Sequence, residues 1–368
     1  MKTLMIVYNS LNTDARVRRS AEALTELGEV KLIGIDEDSK IEKVDSEVLI
    51  LKSKHNLMRY FEFIYKIKKL IRRIDFDLLF ANDFYCAELV PWVKRKNKNA
   101  HIVYDAHELY IPQKDKPLNK RFEFFYKKEK RAIHDAELVI CANNERASIM
   151  QEHFELNRLP TAIRNISQLP LVHDSISKGY EDKTDEFFTL PGITLVYAGV
   201  LSSARKIETL VEIAEKEENT KLLIIGDGQH RNLLEERASK SLGRRVFFTG
   251  SIPYTYLSVL LSKCDIGYLF YPTDILNNIY CAPNKIYEYA SVRLPMIANA
   301  NPTVERILSD SGIGVASDDL LSAYRIVSQD LEGYKNRCDI FNRNNKWEDE
   351  REVLISSVKG LIGKNGRI

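Results

Sequence analysis

Short apolar runs alternate with longer amphipathic stretches along most of the chain. In the N-terminal half the runs are TLMIVYN (3–9), EVKLIGI (29–35), EVLIL (47–51), DLLFAN (77–82), HIVYDA (101–106) and ELVICA (137–142). Each has the length of a buried strand. Helical patterns lie between most of them: residues 13–27 form one, and 57–73 form another with apolar positions three and four apart. Strand–helix alternation of this kind predicts parallel βαβ units.

Residues 168–192 break the rhythm. The stretch QLPLVHDSISKGYEDKTDEFFTLPG is polar, carries Pro and Gly, and sustains no period, so a linker is expected over 171–192. Alternation then restarts with ITLVYAG (193–199), TKLLIIG (220–226), RVFFTG (245–250), DIGYLF (265–270), PMIAN (295–299) and GIGVA (312–316). The pattern predicts an α/β protein of two doubly wound domains in tandem, 1–170 and 193–346. A last helical pattern over 347–362 carries Val353, Leu354, Val358 and Leu361 as one apolar stripe. That stripe must pack on something, and a return of 347–368 to the first domain is the expectation.

Composition narrows the class. At 368 residues the chain exceeds one ordinary core, and two domains are natural. It is 44% apolar and 29% charged, with a formal charge of +2 that excludes nothing by itself. Cys86, Cys141, Cys264, Cys281 and Cys338 lie far apart with no C-x-x-C pair, which favours reduced thiols over a disulfide framework or a zinc site. The N-terminal run LMIVY is too short for a signal or a span, and no later run reaches spanning length. A cytoplasmic protein, at most peripheral on the inner face of a membrane, is expected.

In open α/β sheets, ligands bind beyond the carboxyl ends of the strands. The residues just past the predicted strands are Asn9 and Ser10, Asn82 and Asp83, Asp105, His107 and Glu108, Gly199, Gly226, Asp227 and Gly228, Thr249 and Gly250, and Tyr271. Two such domains facing across a cleft would bring both sets together. In AGVLSSARKIETL, Arg205 and Lys206 fall at a helix start, where positive charge opposes the helix dipole and makes sense beside an anion. A solvated basic pair is the plainer alternative. In APNKIYEY, Pro283 opens a helix, Asn284 can cap it, Lys285 adds charge, and Glu288 one turn in can accept bonds from vicinal hydroxyls or merely complement the dipole.

These segments carry a family resemblance. MIVYNSLNTDARVRRSAEALTELG, YDAHEL, YAGVLSSARKIETLVEIA, LLIIGDGQHRNLLEE, VFFTGSIPYTYLSVLLSKCDIGYL and APNKIYEYASVRLPMIAN, in that order and over nearly the whole chain, resemble the GT-B glycosyltransferases, most closely retaining family 4. The resemblance implies two Rossmann-like domains with a final helix crossing back to the first. It implies that Arg205, with Lys206 beside it, binds a diphosphate, that Glu288 holds the ribose as the second acid of a Glu-x7-Glu motif, and that His107 lies near the transferred sugar. It also implies that Thr249, Gly250 and Ile252 border the nucleobase. Two positions depart from the family pattern: the first acid of Glu-x7-Glu is Tyr280, and the Gly-Arg pair that often opens the second domain is Gly199-Val200.

The implied activity is metal-independent transfer of a sugar, with retention, from a nucleotide-diphosphate sugar (UDP expected) to a glycan or glycolipid. Asn9, Ser10, Gly199, Gly226, Asp227, Thr249, Gly250, Ile252, Tyr280, Pro283, Asn284, Lys285 and Glu288 are then donor-side, with His107, Arg205 and Lys206 central. No cofactor beyond the substrate nucleotide is expected. Asp36-Glu37-Asp38 has the Asp-x-Asp form of metal-dependent transferases but sits in a generally acidic stretch, and no metal role is assigned to it. G-x-G-x-x-G and P-loop patterns are absent. On the acceptor side stand Arg16, Asp83 and Glu108; Arg16 and Arg18 could meet an acceptor phosphate or bridge to nearby acids. Residues 59–73 carry six basic residues and one acid, and 114–131 carry eight and three with interleaved aromatics. Such helices suit an anionic membrane surface, or are solvated faces around core aromatics. No nucleic-acid recognition motif is present. A catalytically silent partner of another transferase, which the Tyr280 and Val200 departures allow, and a nucleotide-sugar epimerase are the alternatives.

Overall fold

A computed structural model describes the chain except residues 13, 37–40, 42, 114, 118, 168, 170–180 and 364–368, and the side chains of 181–183. Two compact units emerge, Met1–Asn165 with Trp347–Ile368, and Ile166–Lys346.

The first unit runs β1 (Lys2–Ile6), α1 (Ala15–Leu24), β2 (Glu29–Ile35), β3 (Asp45–Leu49), α2 (Asn56–Ile71), β4 (Leu78–Asn82), α3 (Leu89–Lys96), β5 (His101–Asp105), α4 (Lys120–Asp135), β6 (Leu138–Cys141), α5 (Asn144–His153) and β7 (Thr161–Ala162). Its sheet is parallel in the order β3-β2-β1-β4-β5-β6-β7. The chain winds outward from β1 in one direction and then from β4 in the other. The strand order therefore switches between β1 and β4, where a crevice opens at the carboxyl ends. β4 is buried along its whole length, as a central strand covered on both faces must be. All six strands expected here form; β7, two residues long, carries too little pattern to be read in advance.

The second unit runs α6 (Glu181–Thr189), β8 (Ile193–Ala198), α7 (Glu208–Lys216), β9 (Thr220–Ile225), α8 (Arg231–Arg237), β10 (Val246–Gly250), α9 (Tyr254–Ser262), β11 (Ile266–Leu269), α10 (Leu276–Ile279), α11 (Asn284–Ser291), β12 (Met296–Ala298), α12 (Pro302–Ser311), β13 (Gly314–Ala316), α13 (Leu320–Gln329) and α14 (Leu331–Asn344). The sheet order is β10-β9-β8-β11-β12-β13, again parallel, with its switch between β8 and β11.

Two expectations need correction. The stretch 171–192, read as a linker, contains the helix α6, and Phe187 on it is buried in the second unit's core beside Leu223 and Leu260. One apolar pair, Phe187-Phe188, was too little for a visible period. Residues 171–180 lie outside those described. In the final helix α15 (Trp347–Gly363), Leu354 and Val358 are fully buried in the first unit's core with Met5, Val17 and Leu24. Val353, expected on the same stripe, is 40% exposed, and Ile355 takes the inward place. Glu350, Leu354 and Val358 recur every fourth residue and share one face. The Glu350 carboxylate accepts bonds from the Arg164 backbone N–H (2.6 Å) and its Nε (2.7 Å).

Candidate active site

In the second unit the loops after β8, β9 and β11 converge at the switch point. Gly226 has φ 127°, and a Cβ there would stand 2.0 Å from the carbonyl oxygen of Gly199. The two strand-end loops thus touch backbone to backbone, a packing that only glycine permits. Asp227 folds its own turn: Oδ1 accepts from the Gly228 N–H (2.7 Å) and Oδ2 meets Arg231 (3.3 Å). Thr249 donates to the carbonyl of Gly250, whose φ is 71°. Ile252 packs on the core.

Ser203–Arg205 forms one 3-10 turn ahead of α7. Arg205 is half-buried; its Nη1 donates to the Phe270 carbonyl (2.8 Å) and its guanidinium lies 5.3 Å from the centre of the Tyr271 ring. The Tyr268 hydroxyl donates to the Arg205 (3.1 Å) and Lys206 (3.2 Å) carbonyls from below. Lys206 has φ 50°, a left-handed conformation costly for a lysine, and is exposed. Strain of this kind persists only where the surroundings impose it, and it gathers at functional sites.

The α11 entrance differs from expectation in one respect. Pro283 occupies the cap position without a side-chain cap, and Asn284 is the first helical residue. Asn284 Oδ1 is buried with no hydrogen-bond partner. Residue 284 sits one place too late for its oxygen to reach back to the first N–H groups. Lys285 Nζ donates to Glu288 Oε2 (2.7 Å), and the Tyr254 hydroxyl donates to Oε1 (3.3 Å). Glu288 is only 6% exposed, so the acid sits in a ready-made cradle of donors. Tyr280 ends α10, half-buried.

Sequence reading missed Tyr254, and also Asn299 and Asn301. Asn299 bonds both the N–H and the carbonyl of Tyr271 (2.9 Å each), fixing the loop that carries the Arg205 stack. Fully buried Asn301 caps α12 through Oδ1 while Nδ2 donates to Asn278 (2.9 Å). Asn301-Pro302 is a readable helix-start signal; Tyr254, thirty-four residues from Glu288, has none.

In the first unit, Asp105 closes β5, and Arg16 grips it through Nε (3.0 Å) and Nη2 (2.7 Å) while Nη1 donates to the Ile163 carbonyl (2.9 Å). Arg16 is thus a buried structural cation, not an open phosphate contact: of the two roles expected, the ion pair is the one formed. Arg18 is half-buried. His107 Nε2 stands 3.5 Å from Asp105 Oδ2. Burial works against the Asp105 charge, but Arg16 and His107 overcome it and hold the carboxyl well below the usual range. Burial lowers and the Asp105 carboxylate raises the His107 imidazole, with a net upward shift. Asp83, after β4, has φ 63° and accepts from the Phe84 N–H (2.8 Å). Burial pushes it up to about 6, with His107 opposing. Glu108 stands 3.8 Å from Arg146, which also donates to the His107 carbonyl (2.7 Å). Asn9 and Ser10 spend bonds on their own turn: Asn9 Nδ2 on Asp14 (3.0 Å) and Oδ1 on the Ser10 N–H (2.9 Å). Glu37 and Asp38 of the Asp-x-Asp tripeptide lie outside the described residues.

Two family models match in tandem, Glycosyltransferase Family 4 over residues 15–165 and Glycosyl transferases group 1 over 192–329. The chain belongs to the group 1 glycosyltransferases. An uncharacterized glycosyltransferase of Methanocaldococcus jannaschii is 25% identical to this transferase-family chain over 283 residues, spanning 70% of it and 65% of the relative's own length. Among solved structures, sucrose-phosphate synthase from Thermosynechococcus elongatus superposes with a TM-score of 0.73 at 17% identity, covering 99% of this chain and all of the other. Anabaena HepE in complex with UDP and glucose gives 0.71 at 15%, covering 98% and 100%. The lipopolysaccharide glycosyltransferase WaaG gives 0.68 at 14%, covering 95% and 97%. These likenesses establish the GT-B fold of two Rossmann-like domains.

Proposed function

We propose that this group 1 glycosyltransferase moves a sugar from a UDP-sugar to a glycan or glycolipid acceptor with retention of configuration and without a metal. The observation that carries the reading is the second sheet's switch point. There a stacked, half-buried Arg205 and a strained, exposed Lys206 flank glycine loops, and α11 offers an uncapped N-terminus with the buried carboxylate of Glu288 one turn deeper. Cations and free N–H groups suit a diphosphate; a cradled acid suits vicinal ribose hydroxyls. The UDP complex of HepE supports UDP as the nucleotide.

In this reading the acceptor oxygen bonds to the anomeric carbon as the anomeric carbon–phosphate oxygen bond breaks. Its electrons pass to the diphosphate, which takes the acceptor's proton. Arg205 and Lys206 stabilise the growing negative charge, the largest contribution a site of this kind makes. Lys285 pairs with Glu288, and nucleotide binding would compete for it. His107, whose Nε2 stands 3.5 Å from Asp105 Oδ2, is assigned by the family resemblance to the orientation of the donor sugar rather than proton abstraction.

Release of UDP on incubation with donor and acceptor tests the reading. Turnover of donor without acceptor would mark an epimerase instead, and UDP binding without any turnover a silent partner, the reading that Tyr280 and the 69%-exposed Val200 keep in play. Peripheral attachment to an anionic membrane is proposed on α2, where Leu57, Met58, Phe61 and Tyr65 are all exposed. Part of the basic charge is already internal: Lys68 and Lys128 pair with Glu88, and Lys66 with Glu62. No helix among the described residues is long and apolar enough to cross a membrane.

A further inference from the structure

The first sheet's switch point holds a cavity of about 230 Å³ that the nucleotide does not account for. Four strand-end segments build it: Tyr8 after β1, Arg59 and Tyr60 at the start of α2, Tyr85 after β4, and Arg121 and Phe125 at the start of α4. The rings form a continuous aromatic wall. Tyr8 lies 4.8 Å from Tyr85 and 6.4 Å from Tyr60, and Tyr85 lies 5.0 Å from Phe125, centre to centre. Tyr60 and Phe125 are buried and fix the wall; Tyr8 and Tyr85 are half-buried and line the cavity beside them.

The charge of the lining has one sign: two arginines and no acid. Arg59 pairs with Asp36, which neutralises part of its charge, and Arg121 Nη2 donates to the Tyr85 hydroxyl (3.3 Å), which leaves most of its donors uncommitted to that bond. Each arginine also sits in the first turn of a sixteen-residue helix, where its charge opposes the dipole. That placement is unfavourable alone and becomes favourable with an anion between them. Flat aromatic faces complement the C–H face of a sugar ring, and guanidinium forks complement phosphate or carboxylate. The volume lies below the ~300–1,000 Å³ of pockets for drug-sized ligands, so it holds one sugar unit, not an oligosaccharide.

We propose that this cavity seats the acceptor, and that the acceptor's reacting end is a pyranose bearing an anionic group, phosphate or carboxylate. The ring lies on Tyr8 and Tyr85, and the anion meets Arg121 and Arg59. The inference rests on the transferase reading for the word acceptor; the ligand class rests on the cavity itself.

Calorimetric titration of the full chain with glucose 6-phosphate, glucuronate, glucose and inorganic phosphate tests it, with UDP titrated in parallel. Glucose 6-phosphate and glucuronate should bind at least ~10-fold more tightly than glucose, and glucose 6-phosphate more tightly than phosphate. Arg121→Gln and Tyr85→Ala should each weaken glucose 6-phosphate about 10-fold, with UDP affinity retained as the control for folding. A glucosyl phosphate carrying a decyl chain, in micelles, separates two sources of the same chemistry. Tighter binding than glucose 6-phosphate assigns a lipid-linked acceptor that uses exposed Leu57, Met58 and Phe61; equal binding assigns a soluble one. Equal affinity for glucose and glucose 6-phosphate, or variants that change nothing, overturns the proposal. A protein that binds UDP and none of the sugars overturns this inference alone. One that binds the anionic sugars but not UDP upholds the cavity and overturns the donor reading.

Discussion

Arg205 and Glu288 carry the donor assignment at the scale of single side chains. A charge-assisted bond to phosphate contributes about 1.5–3 kcal/mol, so Arg205→Ala should weaken UDP binding roughly 10- to 100-fold. Glu288→Ala should act similarly through the ribose. Both read out as a smaller UDP-dependent rise in melting temperature, since stabilisation follows the logarithm of concentration over Kd. A full shift in both variants would mean the nucleotide lies elsewhere. A second prediction concerns Glu129, buried on α4 and bonded by the Tyr104 hydroxyl (2.7 Å). Burial, against the Tyr104 bond, pushes its carboxyl up to about 8 from an ordinary 4.5. The folded chain then keeps a proton that the unfolded chain surrenders. The associated stability is complete below about pH 4.5 and is lost as pH rises to about 8, by up to ~1.4 kcal/mol per pH unit. Glu129→Gln keeps the acceptor oxygen and should flatten denaturant-measured stability across that window; a slope parallel to the parent's would contradict it. Arg205 and Glu288 stand out as candidates in the sequence because unusual charge falls at a readable helix start. The Arg16–Asp105 pair was not: its partners are eighty-nine residues apart, and only the fold says that the guanidinium turns inward.

Elements were the most readable layer. Strands such as β2 and β9 announce themselves because a central parallel strand is apolar on both faces and stands between polar turns. Helix α6 was hidden because it docks through one adjacent pair, buried Phe187 and partly buried Phe188, which makes no period. The final helix was legible as a helix, while its inward face was misjudged by one position at Val353. Its role yields a prediction. Leu354 is fully buried among first-unit core residues, so Leu354→Ala should destabilise the protein by about 2–5 kcal/mol, whereas Val353→Ala should stay within about 0.5 kcal/mol. Equal losses in chemical denaturation would show that α15 packs on another face.

For the molecule as a whole, two sheets with the same outward winding each present one switch point, and candidate binding groups gather at both: arginines and aromatic rings at the first, Arg205, Lys206 and glycine loops at the second. Family membership was legible from the ordered motifs; the proposed donor and acceptor rest on local geometry that motifs do not encode. The formal charge of +2 hides a local excess of basic residues on α2 and α4. Vesicles rich in anionic lipid should therefore sediment the protein at low salt and release it near 0.5–1 M salt, where screening falls to a few ångströms. Equal sedimentation with neutral vesicles would remove the electrostatic part of that account. The central claim is tested most directly by a crystal of the protein grown with UDP. The account predicts diphosphate density against Arg205, Lys206 and the N-terminus of α11, with the ribose hydroxyls on Glu288; nucleotide bound at another place, or none at saturating UDP, would contradict it.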